Sequence, residues 1–151
     1  MEKEDYMKIA LKLAKKAAED DEVPVAALVV NPQSGEIIAT AANESAHGTD
    51  STAHAEILAI RRACEKLGSA RLWDFDMYVT LEPCTMCAAA ISFARIKNLY
   101  FGALDEKGGA VLSGVKFYDS PTCHHKPKVI SGILAQESSE LLKEFFKNKR
   151  G

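Results

Sequence analysis

The sequence predicts an α/β protein in which helices are layered on a sheet that is at least partly parallel. Two observations carry this. Residues 53–102 read helix, strand, helix, strand, and strands joined through helices need crossover connections that favour parallel neighbours. Apolar residues recur at helical spacing in some segments and stand in short unbroken runs in others, the alternation expected of amphipathic helices and buried strands.

Taken in order, Tyr6, Ile9, Ala10, Leu13, Ala14 and Ala17 recur at helical spacing among lysines and acids, which predicts a helix over about 3–19. A nearly all-apolar run over 23–30, the turn residues Asn31-Pro-Gln-Ser-Gly35 and an Ile- and Ala-rich run over 36–42 predict a β-hairpin that Asn43 ends. Ile57, Leu58, Ile60, Ala63, Cys64 and Leu67, closed by Gly68, predict a helix over 55–67 with its C-cap. A buried strand over 77–81, a small-residue apolar helix over 83–94 and a strand over 96–101 follow. After Gly102 the residues Gly108, Gly109, Gly114 and Pro121 break any periodicity, so a functional loop region is expected, with a short strand at 128–133. Leu134, Leu141, Leu142, Phe145 and Phe146 then mark a C-terminal helix.

The chain has 151 residues, 47% of them apolar, enough to bury a core of its own within one domain spanning 1–151. Lys and Arg number 19 and Asp and Glu 21, a formal net charge of −2, which excludes a uniformly basic protein that coats nucleic acid. A polyanion partner has to meet a local patch, and Lys126, Lys128, Lys143, Lys147, Lys149 and Arg150 are the candidates for a basic rim. The charged start and the lack of any apolar run of membrane-spanning length predict a cytoplasmic protein without a membrane partner. Four cysteines, two of them in Cys84-Thr-Met-Cys87, suit a reducing compartment where thiols serve metals or chemistry.

His54-Ala-Glu56 opens one predicted helix and Pro83-Cys-Thr-Met-Cys87 the next. With Pro83 at the first helical position, Cys84 and Cys87 stand three apart on one face, where both sulfurs reach one ion. A helix N-terminus favours the thiolate that binds zinc. His54 supplies a third ligand, and three ligands leave one tetrahedral position open for water, as in a catalytic zinc site. Glu56 lies beside the metal without being a ligand. A Cys-x-x-Cys pair is also compatible with a redox dithiol or half of a four-cysteine structural site. The first leaves His54-Ala-Glu56 without a purpose, and the second lacks a partner pair because Cys64 and Cys123 stand alone.

At these residues the chain resembles the zinc-dependent nucleobase deaminases, whose known signature is H-x-E followed by P-C-x-x-C. Within them it is most similar to the bacterial tRNA-specific adenosine deaminases. The likeness runs through Val23-Pro-Val25, Asn43, Thr52-Ala-His-Ala-Glu-Ile57, Tyr78-Val-Thr-Leu-Glu-Pro-Cys84, Met86-Cys-Ala88 and Ala94-Arg-Ile96. It continues through Gly102-Ala103, Asp105, Lys107, Gly132-Ile-Leu134 and Phe145-Phe146. The chain departs from the family at Ala26 and Ala89, where Gly is frequent, at His124, at Ala42 and in segment 44–49, which lacks basic residues.

The resemblance implies a three-layer α/β/α cytidine-deaminase-like fold with a central mixed sheet of about five strands. It implies one Zn2+ per chain on His54, Cys84 and Cys87, with Glu56 relaying protons during hydrolysis of adenosine to inosine. Asn43, Asp105, His125 and Phe146 match family positions that contact the substrate nucleic acid, a tRNA anticodon stem-loop edited at its wobble adenosine, most naturally an arginine tRNA. A homodimer is implied as well. The alternatives are a deaminase of free guanine, cytosine or a nucleoside on the same fold, and a zinc-stabilised RNA-binding protein without catalysis. The second has no use for Glu56.

Overall fold

The computed structural model describes residues 1–45 and 48–150, without the side chain of Arg150. Ala46 and His47 of segment 44–49 lie outside the described residues. Helix α1 (Lys3–Glu19) is followed by β1 (Ala26–Val30), β2 (Ile37–Ala42), α2 (Ala55–Leu67), β3 (Asp76–Leu81), α3 (Thr85–Phe93), β4 (Asn98–Ala103), β5 (Lys128–Ile130) and α4 (Ala135–Arg150). A short 3-10 turn at Phe117–Asp119 interrupts the long stretch between β4 and β5.

The five strands form one mixed sheet in the order β2-β1-β3-β4-β5. β1 is antiparallel to both β2 and β3, whereas β3, β4 and β5 run parallel. Side chains alternate across the central strands. Ala27, Val29, Met77, Val79, Leu99 and Phe101 pack with Ala55, Ala59, Ala63, Ala88 and Ile91 of α2 and α3. Leu28, Val30 and Tyr78 turn the other way, onto Tyr6, Met7 and Ala10 of α1. The period of two in each strand thus puts a helical layer on either face, the predicted three-layer arrangement.

Element boundaries move where local chemistry intervenes. β1 begins at Ala26 rather than 23 because Pro24 has no N–H for the ladder. β4 begins at Asn98 because Arg95, at φ 65°, turns the chain after α3 and Ile96 N–H donates back to Ile91 O at 3.3 Å. β5 ends at Ile130, ahead of Gly132 at φ 84°. Gly68, at φ 65°, caps α2 as predicted.

This topology fixes where chemistry can occur. β2 and β3 are each antiparallel to β1, so they point the same way and end at the same sheet edge. β4 is parallel to β3 and ends there too. The segments leaving β2, β3 and β4 lead to His54, Cys84 and Asp105 respectively, at the carboxyl ends of the strands where open α/β sheets place their sites.

Candidate active site

His54 and Cys84 occupy equivalent positions on successive helices. Each is the N-cap residue, extended in backbone, with its carbonyl accepting the first helical N–H: Leu58 N–H on His54 at 3.0 Å and Ala88 N–H on Cys84 at 2.8 Å. The sequence places Pro83 at the first helical position, but α3 starts at Thr85 and Pro83 precedes the cap. Cys87 is therefore three residues beyond the cap, and its sulfur turns back toward that of Cys84.

His54 Nδ1 lies 3.7 Å from Cys84 Sγ and 3.6 Å from Cys87 Sγ. A tetrahedral zinc with ordinary Zn–N and Zn–S bonds needs an N···S edge of about 3.6 Å, so these donors fit the ion. Among the described residues, His54, Cys84 and Cys87 are the group that converges in this way, their ligand atoms all within 4.8 Å of one another. A hydrogen bond from Cys87 pulls the Cys84 thiol down to about 5, while the same contact and burial push Cys87 up. A lowered Cys84 thiol favours the thiolate form that binds a metal.

Glu56, in the first turn of α2, is buried at 4% exposure. Burial pushes its carboxyl up to about 7; a hydrogen bond from its own backbone N–H opposes the rise, and the negative charge on Cys84 adds to it. A carboxyl raised in this way suits a group that exchanges protons.

Asn43 follows β2 directly. Its Oδ1 accepts the Ala55 N–H at 2.8 Å, so it caps the first turn of α2 from outside the helix, next to His54. Asn43 also lines a cavity of about 480 Å³ with Leu13, Lys16, Asp20 and Glu44. Asp105 and Phe146 line one groove of about 780 Å³ together with Leu81, Lys107, Lys143 and Lys147. Asp105 Oδ1 also accepts Lys107 N–H and Gly108 N–H at 3.2 and 3.0 Å, a turn role for one oxygen only. Phe146, at 44% exposure, stands on the groove and not in the core.

His125 lies apart. Its Nε2 is 2.7 Å from Ile96 O and its ring packs edge-on to Trp73, past the C-terminal end of α3 and away from the cysteines at its start. The basic rim is likewise divided: Lys143 and Lys147 face the groove, while Lys149 pairs with Asp21.

Two residues without an assigned role from sequence shape the site. Tyr118, buried, donates its hydroxyl to Ala88 O at 2.9 Å and braces α3. Glu82, two residues before Cys84 and 2% exposed, accepts five hydrogen bonds. Burial raises its carboxyl, but hydrogen bonds from Asp105, Leu112 and Ser113 outweigh that and hold it below the usual carboxylate range. A charged residue ending the otherwise apolar run Tyr78-Val-Thr-Leu81 is the signal that marks it in the sequence.

A His-Cys-Cys cluster able to hold a metal ion, with a buried glutamate beside it at the carboxyl edge of a mixed sheet, matches the pattern of a hydrolytic deaminase. The MafB19-like deaminase family matches residues 1–150, and the chain belongs to that family. The tRNA-specific adenosine deaminase of Agrobacterium fabrum is 56% identical over 149 residues, 99% of this chain and 97% of that protein. A solved structure from work on A-to-I editing by tRNA:A34 deaminases at the wobble position superimposes with a TM-score of 0.88 at 58% identity, covering 91% of this chain and 98% of the other. The guanine deaminase of Nitrosomonas europaea has the same fold at 26% identity, with a TM-score of 0.84 over 95% of this chain and 84% of its own.

Proposed function

We propose that the protein deaminates adenosine to inosine at the wobble position of a tRNA anticodon, with an arginine tRNA as substrate, and that residues 1–151 act as one zinc-dependent deaminase domain in the cytoplasm. The observation that carries this reading is the convergence of His54, Cys84 and Cys87 beside buried Glu56. Support for the substrate comes from kinship: the Agrobacterium relative, 56% identical along nearly the whole chain, bears the name of a tRNA-specific adenosine deaminase.

A zinc ion held by His54, Cys84 and Cys87 supplies the Lewis acidity that makes water nucleophilic near neutral pH. Two thiolate ligands temper that acidity, so a base in the protein is needed beside the ion. Glu56 takes one proton of the attacking water and delivers it to N1 of the adenine, then takes the proton of the new C6 hydroxyl and passes it to the departing amine, so that the C6 carbonyl forms as ammonia leaves. The sum is adenosine and water to inosine and ammonia. The Asn43 amide donates to the nucleotide, and its orientation is held by the bond to Ala55. Asp105 accepts from a ribose hydroxyl, Phe146 offers a face for a flanking base, and Lys143 and Lys147 meet phosphates along the groove. His125 meets the RNA further from the metal.

A base already unpaired in an anticodon loop costs little to extrude into such a pocket. The test is incubation with total tRNA, a hairpin carrying an ACG loop, and free adenosine, guanine and cytosine, with inosine and ammonia assayed. Inosine from the hairpin, little from free adenosine, and a rate that falls as salt rises are expected. Ammonia from free guanine or cytosine with none from the hairpin overturns the assignment. The protein is also proposed to form a homodimer through α3, where Phe93 is 64% exposed on a helix of small residues. Light scattering giving a 16.4 kDa particle at micromolar concentration contradicts the dimer.

A further inference from the structure

Between the zinc ligands and the groove stands a carboxylate that the mechanism above does not use. Glu82 Oε1 accepts the Asp105 N–H at 2.9 Å and the Ser113 hydroxyl at 2.8 Å. Its Oε2 accepts the N–H groups of Val111, Leu112 and Ser113 at 3.0, 2.8 and 2.9 Å. Segment 105–113 is thus wrapped around one buried anion, and the wrap is tight: a Cβ on Gly109 would lie 2.4 Å from Glu82 Cδ. The backbone closes the same circuit, with Glu82 N–H donating to Ala103 O and Ala110 N–H donating to Pro83 O, both at 2.9 Å.

The two sides of this clamp lead to different parts of the site. Toward the C-terminus, Glu82 is followed by Pro83 and the ligand Cys84. Across the sheet edge, its first bond is to the backbone of Asp105, whose side chain lines the groove with Phe146 and Lys143. We infer that Glu82 is a positioning residue for RNA recognition: it fixes the Asp105 side of the groove relative to the metal ligands through the 105–113 segment. The inference rests on the tRNA reading given above. A glutamine at 82 keeps the shape but turns an NH2 donor toward backbone N–H donors, so the segment loses its registration while the ligands remain.

Steady-state kinetics on the ACG-loop hairpin test this in zinc-loaded protein. Glu82→Gln is expected to retain its zinc and to raise KM about tenfold with kcat changed less than about twofold, the pattern of lost uniform binding. Ser113→Ala, which removes one of the five bonds, is expected to raise KM about twofold to threefold and decides the matter if the glutamine variant does not fold. In an Asp105→Asn background, Glu82→Gln is expected to cost no more than about twofold, because coupled residues give non-additive losses. A general loss of stability would not produce that coupling. The inference is overturned if KM is unchanged in both Glu82→Gln and Ser113→Ala, if the losses at Glu82 and Asp105 multiply in full, or if kcat falls together with zinc content. Absence of hairpin turnover by the unsubstituted chain is a separate result, which overturns the tRNA reading itself and this inference with it.

Discussion

Replacing Gly109 with alanine tests how firmly the 105–113 segment is held. The added Cβ would sit 2.4 Å from Glu82 Cδ, 2.5 Å from Glu82 Oε1 and 2.5 Å from Asp105 O. Carbon atoms in contact prefer about 3.5–4.0 Å, so something must move by an ångström or more. The nearest groups are a buried carboxylate with five donors and a backbone carbonyl that itself accepts the Gly109 N–H at 2.8 Å, so neither moves freely. Overpacking costs about 1–3 kcal/mol, and loss of one charge-assisted bond to Glu82 about 1.5–3 kcal/mol. A destabilisation of about 2.5–6 kcal/mol follows, which for a chain of this length lowers Tm by roughly 5–24 °C. The neighbouring Gly108→Ala is the control: its Cβ would lie 3.1 Å from Asp105 Oδ2, a side-chain atom that has to give by only a few tenths of an ångström. Its cost should stay under about 1 kcal/mol. Thermal unfolding followed by circular dichroism at saturating zinc measures both. Equal melting temperatures for the two variants would refute the packing argument.

Three further outcomes follow from the site and the sheet. Cys87→Ala should lose stoichiometric zinc, measured by metal analysis of the purified protein, since the described residues offer no other converging ligand set; a full complement of zinc in that variant removes the proposed centre. Glu56→Gln should keep the metal and lower turnover by a factor of about 10² or more, because an amide cannot relay a proton; near-normal turnover refutes its role. Asp76, 5% exposed at the start of β3, is raised in pKa by burial, against a hydrogen bond from Asn98 Nδ2 at 2.8 Å. A carboxyl raised on folding favours the native state fully below its unfolded pKa, and that contribution disappears as pH climbs through the higher folded value. Asp76→Asn should therefore stabilise the protein at pH 7, by on the order of 0.5 kcal/mol, with the gain vanishing in denaturant titrations near pH 3; a variant less stable at pH 7 contradicts the sign.

The sequence is legible wherever structure depends on neighbours a few residues away. α1 and α2 are read to the residue because their apolar stripes are regular and Gly68 ends α2 with a left-handed cap. The convergence of the three candidate ligands is legible for the same reason: His54 and Cys84 each announce a helix start, and Cys87 is fixed one turn on. The role of Glu82 is not legible, because its donors stand 23 to 31 residues downstream in a segment with no period of its own. Asn43 reads as the end of a strand, and only the fold shows its oxygen capping a helix that begins 12 residues later. His125 matches a family position, yet its distance from the groove is set by where the loop after the 3-10 turn crosses α3. No local pattern encodes that crossing.

The amide of Asn43 joins two tolerances that would otherwise be independent. Its oxygen accepts the first N–H of α2, one residue after the candidate ligand His54, while its nitrogen is the donor proposed to meet the nucleotide. If the end of β2 drifts relative to the rest of the sheet, the start of α2 is drawn with it, so the proposed recognition donor and the candidate ligand His54 shift in the same direction and errors in placement cancel at the reacting base. A site assembled from separately anchored loops would add such errors instead. The strand end and the helix start act as one jig, and accuracy at the base comes from their being fastened to each other more than from either being rigid alone.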